Sequence, residues 1–356
     1  MAVLSTIDPR RDKEWDQFVE AHPLGQIYHL SSWKSCLANS FPHIKGTYVV
    51  LLDNPGGIIR AGLPVFRVKS WLTGRRLVCS PFATHCDPLV TDPCQIGMFL
   101  DELIRLAHES KCSYVELKTF RTDSLINDCR FGISRFYKFH ELDLDTSLDK
   151  LWGGFHRSCV KQRISRSEKS DIRIRSGDSE SDLKEFYRLL FMTRERRALP
   201  PQPYVFFKSL WNAFYPSKQL ILMLAQKDGK TIAGLMLLLF KDRVTAEFAA
   251  SDKKYKDLSP NHYLFWQAIR MAHEKGFRVF DFGRTSPLNA SLMDFKKRWG
   301  TREVDLAQFY FPAGMAAGAS NKEQSQKYRI IRRVFSLGLP EYAQSLLGGF
   351  VYRHLG

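Results

Sequence analysis

The sequence predicts an α/β protein of two similar units followed by a helical tail, and three observations carry that prediction. A length of 356 residues suits roughly two domains, each large enough to bury its own core. Both halves run through the same order of elements: helices, a hairpin, a strand, a helix and a strand. The longest apolar run, TIAGLMLLLF from Thr231 to Phe240, is far shorter than the ~20 residues of a membrane-spanning helix and reads as a buried strand.

In the first half, Asp12 to Glu20 reads as a helix, and Gln26 to His29 leads into a second around Trp33. Strands follow over Gly46 to Leu52 and Ile58 to Val68, turned by Asp53-Asn54-Pro55-Gly56-Gly57 into a hairpin. Arg76 to Cys79 is a further strand, Cys94 to Ser110 an apolar-periodic helix and Tyr114 to Lys118 a strand, while Phe136 to Leu144 either closes the first sheet or crosses to the next. The second half starts with a helix from Ser147 to about Arg166, a strand at Ile172 to Arg175, and helices at Ser181 to Arg196 and Val205 to Phe214. A second hairpin joins Leu220 to Gln226 with Thr231 to Phe240 through Lys227-Asp228-Gly229-Lys230. After Phe311-Pro312, Ala313 to Ser320 reads as an Ala/Gly linker. Lys322 to Leu337 reads as a helix with Tyr328, Ile331 and Phe335 on one face and Lys327, Arg329, Arg332 and Arg333 elsewhere, suited either to packing or to an anionic membrane surface.

A hydrophobic share of 44% and a charged share of 25% are those of an ordinary globular protein. The net charge of +16 is not ordinary, and it favours polyanionic partners such as RNA, nucleotide-linked sugars or anionic lipid head groups over a merely solvated basic surface. The 7 cysteines form no CxxC pair and no metal-ligand spacing, so no metal is expected, and they fit a reducing cytosol. The N-terminus holds no apolar signal core. No GxSxG elbow, HExxH helix or convincing Cys/His pair is present, so chemistry that needs a side-chain nucleophile or a zinc site is not indicated.

The densest information lies between Arg243 and Gly300. RVTAEFAASDKKY reads as a strand, SPNHYLFWQAIRMAHEKG as a capped helix closed by Gly276, RVFDFGR as a second strand, and SLMDFKKRWG as a lysine-bearing helix. Ala250-Ser251, Ser259-Pro260-Asn261 with Leu264 and Trp266, Gly276, Asp281-Phe282-Gly283, Phe295-Lys296 and Trp299-Gly300 together resemble the C-terminal acyltransferase-like domain of the FemABX family. The tail YRIIRRVFSLGLPEYAQSLLGGFVYRHLG is similar to the end of FemAB-related proteins that accompany exosortase and PEP-CTERM systems. The resemblance implies two tandem GNAT-like domains, here 1–145 and 146–312, with 313–356 as linker and basic amphipathic tail. Members of that family transfer amino acids from aminoacyl-tRNA to peptidoglycan precursors, and relatives are linked to exopolysaccharide loci.

Amide formation needs an amine held near an activated carbonyl, a donor group facing the developing oxyanion, and a route for the proton. By resemblance, Lys296 beside Phe295 supplies the cation at the reacting ester; as a bare residue it is one cation of Lys296-Lys297-Arg298 on a helix. Asp281 ends a strand, where α/β sheets place ligand crevices, and would either orient the amine or pair with Arg284, itself counted among the substrate-binding residues. Glu247, mid-strand, is the candidate general base. Arg157, Lys161, Arg163, Arg166 and Lys169 face one acidic residue, Glu168, and make a phosphate-attracting helix. Trp33-Lys34 lies in GQIYHLSSWK, similar to the family's N-terminal motif in which a lysine contacts nucleotide phosphates. Tyr28, His85 and His262 are further cleft candidates.

The segment before the main helix, DKKYKDLSPN, has no glycine, so the backbone cradle that an ordinary acetyl-CoA enzyme builds for pyrophosphate is not expected. No bound cofactor is expected; aminoacyl-tRNA is the donor the resemblance suggests, with acyl-CoA or acyl carrier protein as alternatives. The expected protein is a cytoplasmic acyl- or aminoacyltransferase at the inner face of the membrane, forming an amide on a nucleotide- or lipid-linked envelope precursor. A non-catalytic, membrane-recruited scaffold is the alternative from a different class.

Overall fold

The computed structural model describes residues 2–71, 74–319, 325–337 and 340–354. These form two compact units: Met1–Phe136 with Asp305–Arg329 and Leu347–Gly356, and Tyr137–Val304 with Ile330–Leu346.

The first unit is built on a seven-stranded sheet. Its strands are β1 (Val3–Ile7), β2 (Ile44–Leu52), β3 (Ile59–Ser70), β4 (Gly74–Val78), β5 (Tyr114–Thr119), β6 (Gly132–Ser134) and β14 (Ala307–Phe311), in the order β1-β2-β3-β4-β5-β14-β6. Helices α1 (Lys13–Ala21), α2 (Ser31–Ser40) and α3 (Gln95–Glu109) belong to this unit. Asp12 caps α1 by accepting the Glu14 N–H, and Trp15 and Val19 bury its apolar face. The core gathers Val49, Leu63, Val65, Leu77, Phe99, Leu103, Val115 and Leu117 from β2, β3, β4, α3 and β5.

The second unit repeats the design. Strands β7 (Lys138–Asp143), β8 (Arg173–Gly177), β9 (Leu220–Lys227), β10 (Lys230–Phe240), β11 (Arg243–Ser251), β12 (Val279–Thr285) and β13 (Arg302–Asp305) stand in the order β13-β7-β12-β11-β10-β9-β8. Its helices are α4 (Leu148–Gly154), α5 (Gln162–Glu168), α6 (Glu180–Arg196), α7 (Tyr204–Phe214), α8 (Pro260–Glu274) and α9 (Ala290–Lys297). The β9–β10 hairpin turns at Asp228 and Gly229, both with positive φ (49° and 74°), the conformation that suits the right-handed twist of the flanking strands. Gly276, at φ 78°, closes α8.

Expected and observed elements differ in two places. The single helix expected from Ser147 to Arg166 is broken: α4 stops at Gly153-Gly154, a π-helical turn covers Arg157–Lys161, and α5 follows. At the break the buried Phe155 packs on Trp299, and the His156 N–H bonds the Arg298 carbonyl, so tertiary anchoring overrides helix continuation. The linker at Ala313 to Ser320 contains a short helix, α10 (Met315–Ala319), which the high helix propensity of alanine allows. Gly132 of β6 leaves room for that segment, since a Cβ there would sit 2.2 Å from the Ala313 carbonyl oxygen.

The strands also exchange at the ends. Phe136 to Leu144 crosses over as β7 to pair with β12 in the second sheet, and β14 returns to the first sheet between β5 and β6. Cuts at 145/146 and 312/313 therefore fall just after each exchanged strand. In the tail, helices α11 (Gln326–Phe335) and α12 (Glu341–Tyr352) are described, whereas Lys322 lies outside the described residues. On α11, Phe335 is buried while Arg329, Arg332 and Arg333 are exposed, so packing claims part of its apolar face.

Candidate functional site

In the second unit, β11 and β12 run parallel with Thr245 beside Asp281, and β7 runs antiparallel on the other side of β12. Asp281 faces Glu141 and Gly283 faces His140, so Phe282 is the extra residue of a β-bulge. Gly283 has φ 72°, a conformation costly for any residue with a Cβ. The bulge turns two consecutive carbonyls toward α9. The Lys296 ammonium donates to both, at 2.8 Å to Gly283 and 3.2 Å to Arg284. Lys296 is 5% exposed, and burial pulls its pKa from 10.5 down to about 7, partly opposed by the charge of Asp281. This lysine therefore exchanges its proton near neutrality, inside the protein and not in bulk water.

Asp281 is buried, and its carboxylate accepts the Gly283 N–H at 2.6 Å. Its cationic neighbour is Arg243 at 3.5 Å, not Arg284, whose guanidinium lies 4.7 Å from the Tyr137 ring centre. Arg243 also reaches Glu141 at 2.7 Å, and Glu141 takes Arg302 at 2.6 Å. Two buried carboxylates facing each other across adjacent strands need such a cation between them. Glu247 is half-buried and is the extra residue of another bulge, where β11 steps from Ala246 to Phe248 against Leu237 and Met236 of β10.

His140 is a site residue that sequence reasoning missed. It is fully buried, and its Nδ1 lies 3.3 Å from the Thr301 hydroxyl. That hydroxyl donates its one proton to the Lys296 carbonyl at 3.1 Å, so toward His140 it can only accept. The proton is thereby placed on Nδ1, and Nε2 keeps its lone pair, with no partner among the described residues. Burial and the nearby Lys296 charge hold the imidazole neutral, its pKa lowered to about 4. Phe295 packs edge-on against His262 and Phe265, and the His262 ring stacks near Trp299. His262 is likewise held neutral by burial, with Arg163 and Arg298 adding to the effect, and its Nδ1 has no partner among the described residues. Buried polar atoms without partners and a buried lysine of strongly lowered pKa mark this part of the unit as a candidate site.

The expected basic anchors have separate fates. Arg157 and Arg163 are exposed at the π-helical break, whereas Lys161 donates to the Gly153 carbonyl at 2.9 Å and ties that break together. In the first unit, Trp33 is fully buried against the edge of Tyr28, and Lys34 is buried in an ion pair with Asp8 at 2.8 Å. An incoming phosphate would have to displace Asp8 from Lys34. His85 bonds Asp87 at 3.1 Å, and Asp87 also collects the N–H groups of Phe120, Arg121 and Thr122, so this pair organises the loops after β4 and β5. Among the described residues no group of acidic, histidine and cysteine side chains could hold a metal ion, and no helix is long and apolar enough to cross a membrane.

Residues 154–297 match the family described as acetyltransferase (GNAT) domain, a type that implies an acyl donor of the acyl-CoA kind. Over 86 residues the chain is 30% identical to the lipid II:glycine glycyltransferase of Staphylococcus haemolyticus, which is 22% of this chain and 20% of that protein. The chain thus spans about a fifth of the length of the curated relatives it matches first. It is 22% identical over 272 residues to the UDP-N-acetylmuramoylpentapeptide-lysine N(6)-alanyltransferase of Weissella viridescens, covering 70% of this chain and 77% of that one. The crystal structure of FemX superposes with a TM-score of 0.69 at 16% identity, over 88% of this chain and 99% of that one, a likeness that speaks for the fold. The expected α/β fold of tandem GNAT-like units and the resemblance to Fem-type proteins both stand on these comparisons.

Proposed function

From a chain that carries a GNAT-type domain and has Fem-type relatives, we propose an acyl- or aminoacyltransferase that forms an amide on a peptidoglycan or exopolysaccharide precursor. The observation that carries this reading is the buried Lys296, held by the carbonyls of a β-bulge and titrating near pH 7. An acceptor amine attacks the ester or thioester carbonyl of the donor, and negative charge gathers on the carbonyl oxygen. Lys296, as ammonium, stabilises that oxygen from a site where little water screens it. The attack forms the C–N bond; collapse of the tetrahedral intermediate re-forms the carbonyl and breaks the C–O or C–S bond, and the amine's proton ends on the leaving group. Glu247 is the candidate to receive that proton first, with Asp281 orienting the amine and Phe295 shaping the wall beside the lysine. Arg157, Arg163 and Arg284 are the proposed anchors for a polyanionic donor or acceptor. Lys34 joins them only by exchanging Asp8 for a phosphate, and Lys161 and Trp33 support the frame.

The names of the relatives suggest a nucleotide-linked muramyl pentapeptide or lipid II as acceptor, hence an enzyme working on the cytoplasmic side at the membrane surface. Aminoacyl-tRNA is the donor favoured here, because the β11–α8 connection, Asp252 to Ser259, offers no glycine cradle and Pro260 removes one N–H from the first turn of α8. The GNAT domain match favours acyl-CoA as the second reading. Transfer of a labelled aminoacyl group from charged tRNA onto either acceptor, abolished in Lys296→Ala, is the expected result. Labelling from acyl-CoA alone selects the second reading, and labelling from neither, or undiminished labelling by Lys296→Ala, overturns the role given to this site.

A further inference from the structure

The corner of the first sheet formed by β2, β3 and β4 presents an unusual combination of charge and exposed aromatic surface. Lys45 stands directly opposite Arg67, and Lys69 directly opposite Arg75. Arg67 and Lys69 are two residues apart on one strand, so all four side chains share a face. All four are exposed, and none has an acidic partner among the described residues. Like charges set opposite each other across strands destabilise the pairing. A sheet that carries two such pairs in a row is relieved when an anionic surface meets it.

Trp71 follows directly at the end of β3 and is 77% exposed, the most exposed of the large hydrophobic side chains described. It is held in that position. Its ring meets the edge of His354 at 5.3 Å and lies 6.1 Å from Phe350, itself 43% exposed at the end of α12. The buried His354 is fastened beneath by Ser70 at 2.8 Å and by the Arg76 guanidinium, which donates to its carbonyl at 3.2 Å. Along α12, Leu346 and Tyr342 stand one and two turns before Phe350 and are 73% and 72% exposed. Arg353, one turn past Gly349, is exposed as well. An aromatic ring in front with cations one strand pair behind it matches the layering of a membrane interface, where rings sit at the acyl boundary and cations at the level of phosphate.

We propose that Trp71 and Phe350, backed by Lys45, Arg67, Lys69, Arg75 and Arg353, dock the protein on an anionic phospholipid surface. This deepens the membrane-side reading above by naming the surface, and it moves the contact from the basic helix α11 to the sheet corner. Polyanion binding alone would explain the cations but not a fixed, exposed tryptophan with aromatic and aliphatic neighbours.

The test uses the full chain and co-sedimentation with vesicles of phosphatidylcholine alone or mixed with phosphatidylglycerol. Binding to the mixed vesicles, little to the neutral ones, and weakening with salt are expected. Trp71→Ala and the double variant Lys69→Glu, Arg75→Glu should each weaken binding by about tenfold or more, with unchanged melting temperature. Wild-type binding that neither variant changes overturns the assignment, as does binding of a single-stranded RNA probe with no vesicle binding, or no binding at all. Acyl transfer to a soluble nucleotide-linked acceptor, measured in parallel, should be the same in Trp71→Ala as in wild type. If no transfer is found while vesicle binding depends on Trp71, the enzymatic reading fails and the docking surface stands.

Discussion

Replacing Lys296 by methionine should stabilise the protein while abolishing its activity. The folded state lowers the pKa of this lysine from 10.5 to about 7, so it disfavours the ammonium relative to the unfolded chain. At about 1.4 kcal/mol per pH unit the penalty is bounded near 5 kcal/mol. Met fills a similar volume without charge, but leaves the Gly283 and Arg284 carbonyls without this donor, which costs about 1–3 kcal/mol. The net gain at pH 6 is then about 2–4 kcal/mol. The sign of the pH dependence follows from proton binding: between pH 7 and 10.5 the unfolded chain holds the proton that the folded one has lost, so wild-type stability rises with pH across that window. Below about pH 7 both states are protonated and the full penalty applies. Above 10.5 both are neutral, and only the lost hydrogen bonds separate the variants, now favouring wild type. Denaturant unfolding of both proteins at pH 6, 8 and 10 measures this directly. A Met variant that is less stable than wild type by the same amount at all three values refutes the reasoning.

Other substitutions test the surrounding frame. Arg243→Met removes the cation shared by Asp281 and Glu141, and should cost about 3–5 kcal/mol in denaturant unfolding. Gly283→Ala forces a Cβ into φ 72° and should cost about 1–2 kcal/mol while lowering turnover, because both carbonyls that hold Lys296 shift. His140→Leu removes the acceptor next to Lys296 and should lower kcat by about a hundredfold with little change in KM, and His140→Gln should restore part of it; equal loss in both variants would mark a packing role only.

The periodic elements were legible because local chemistry decides them. The Asp228-Gly229 turn and the Gly276 stop each appear in the structure as the residues imply. The lysine is singled out through the resemblance and the aspartate through its place at a strand end, but nothing local points to their partners. His140 and Glu141 lie about 140 to 160 positions before Asp281, Thr301 and Arg302, and only sheet pairing brings them together. Arg243 looked like the start of a strand, and nothing local marks it as the cation between two carboxylates. Lys34 shows a partner that the motif does not announce: Asp8, 26 residues earlier, holds its ammonium. Short strands such as β6, with 3 residues, and β13, with 4, carry too few side chains to show any alternation.

The exchanged strands set an order on biosynthesis. Strand β6 pairs only with β14 among the described strands, so Gly132 to Ser134 gain their strand partner only when residue 311 has been made and delivered. Meanwhile β5 presents a bare edge, an open invitation to pair with another nascent chain. A ribosome pausing within the second half would lengthen that exposure. Fragments cut between the halves should therefore aggregate, even though each half contains most of a core.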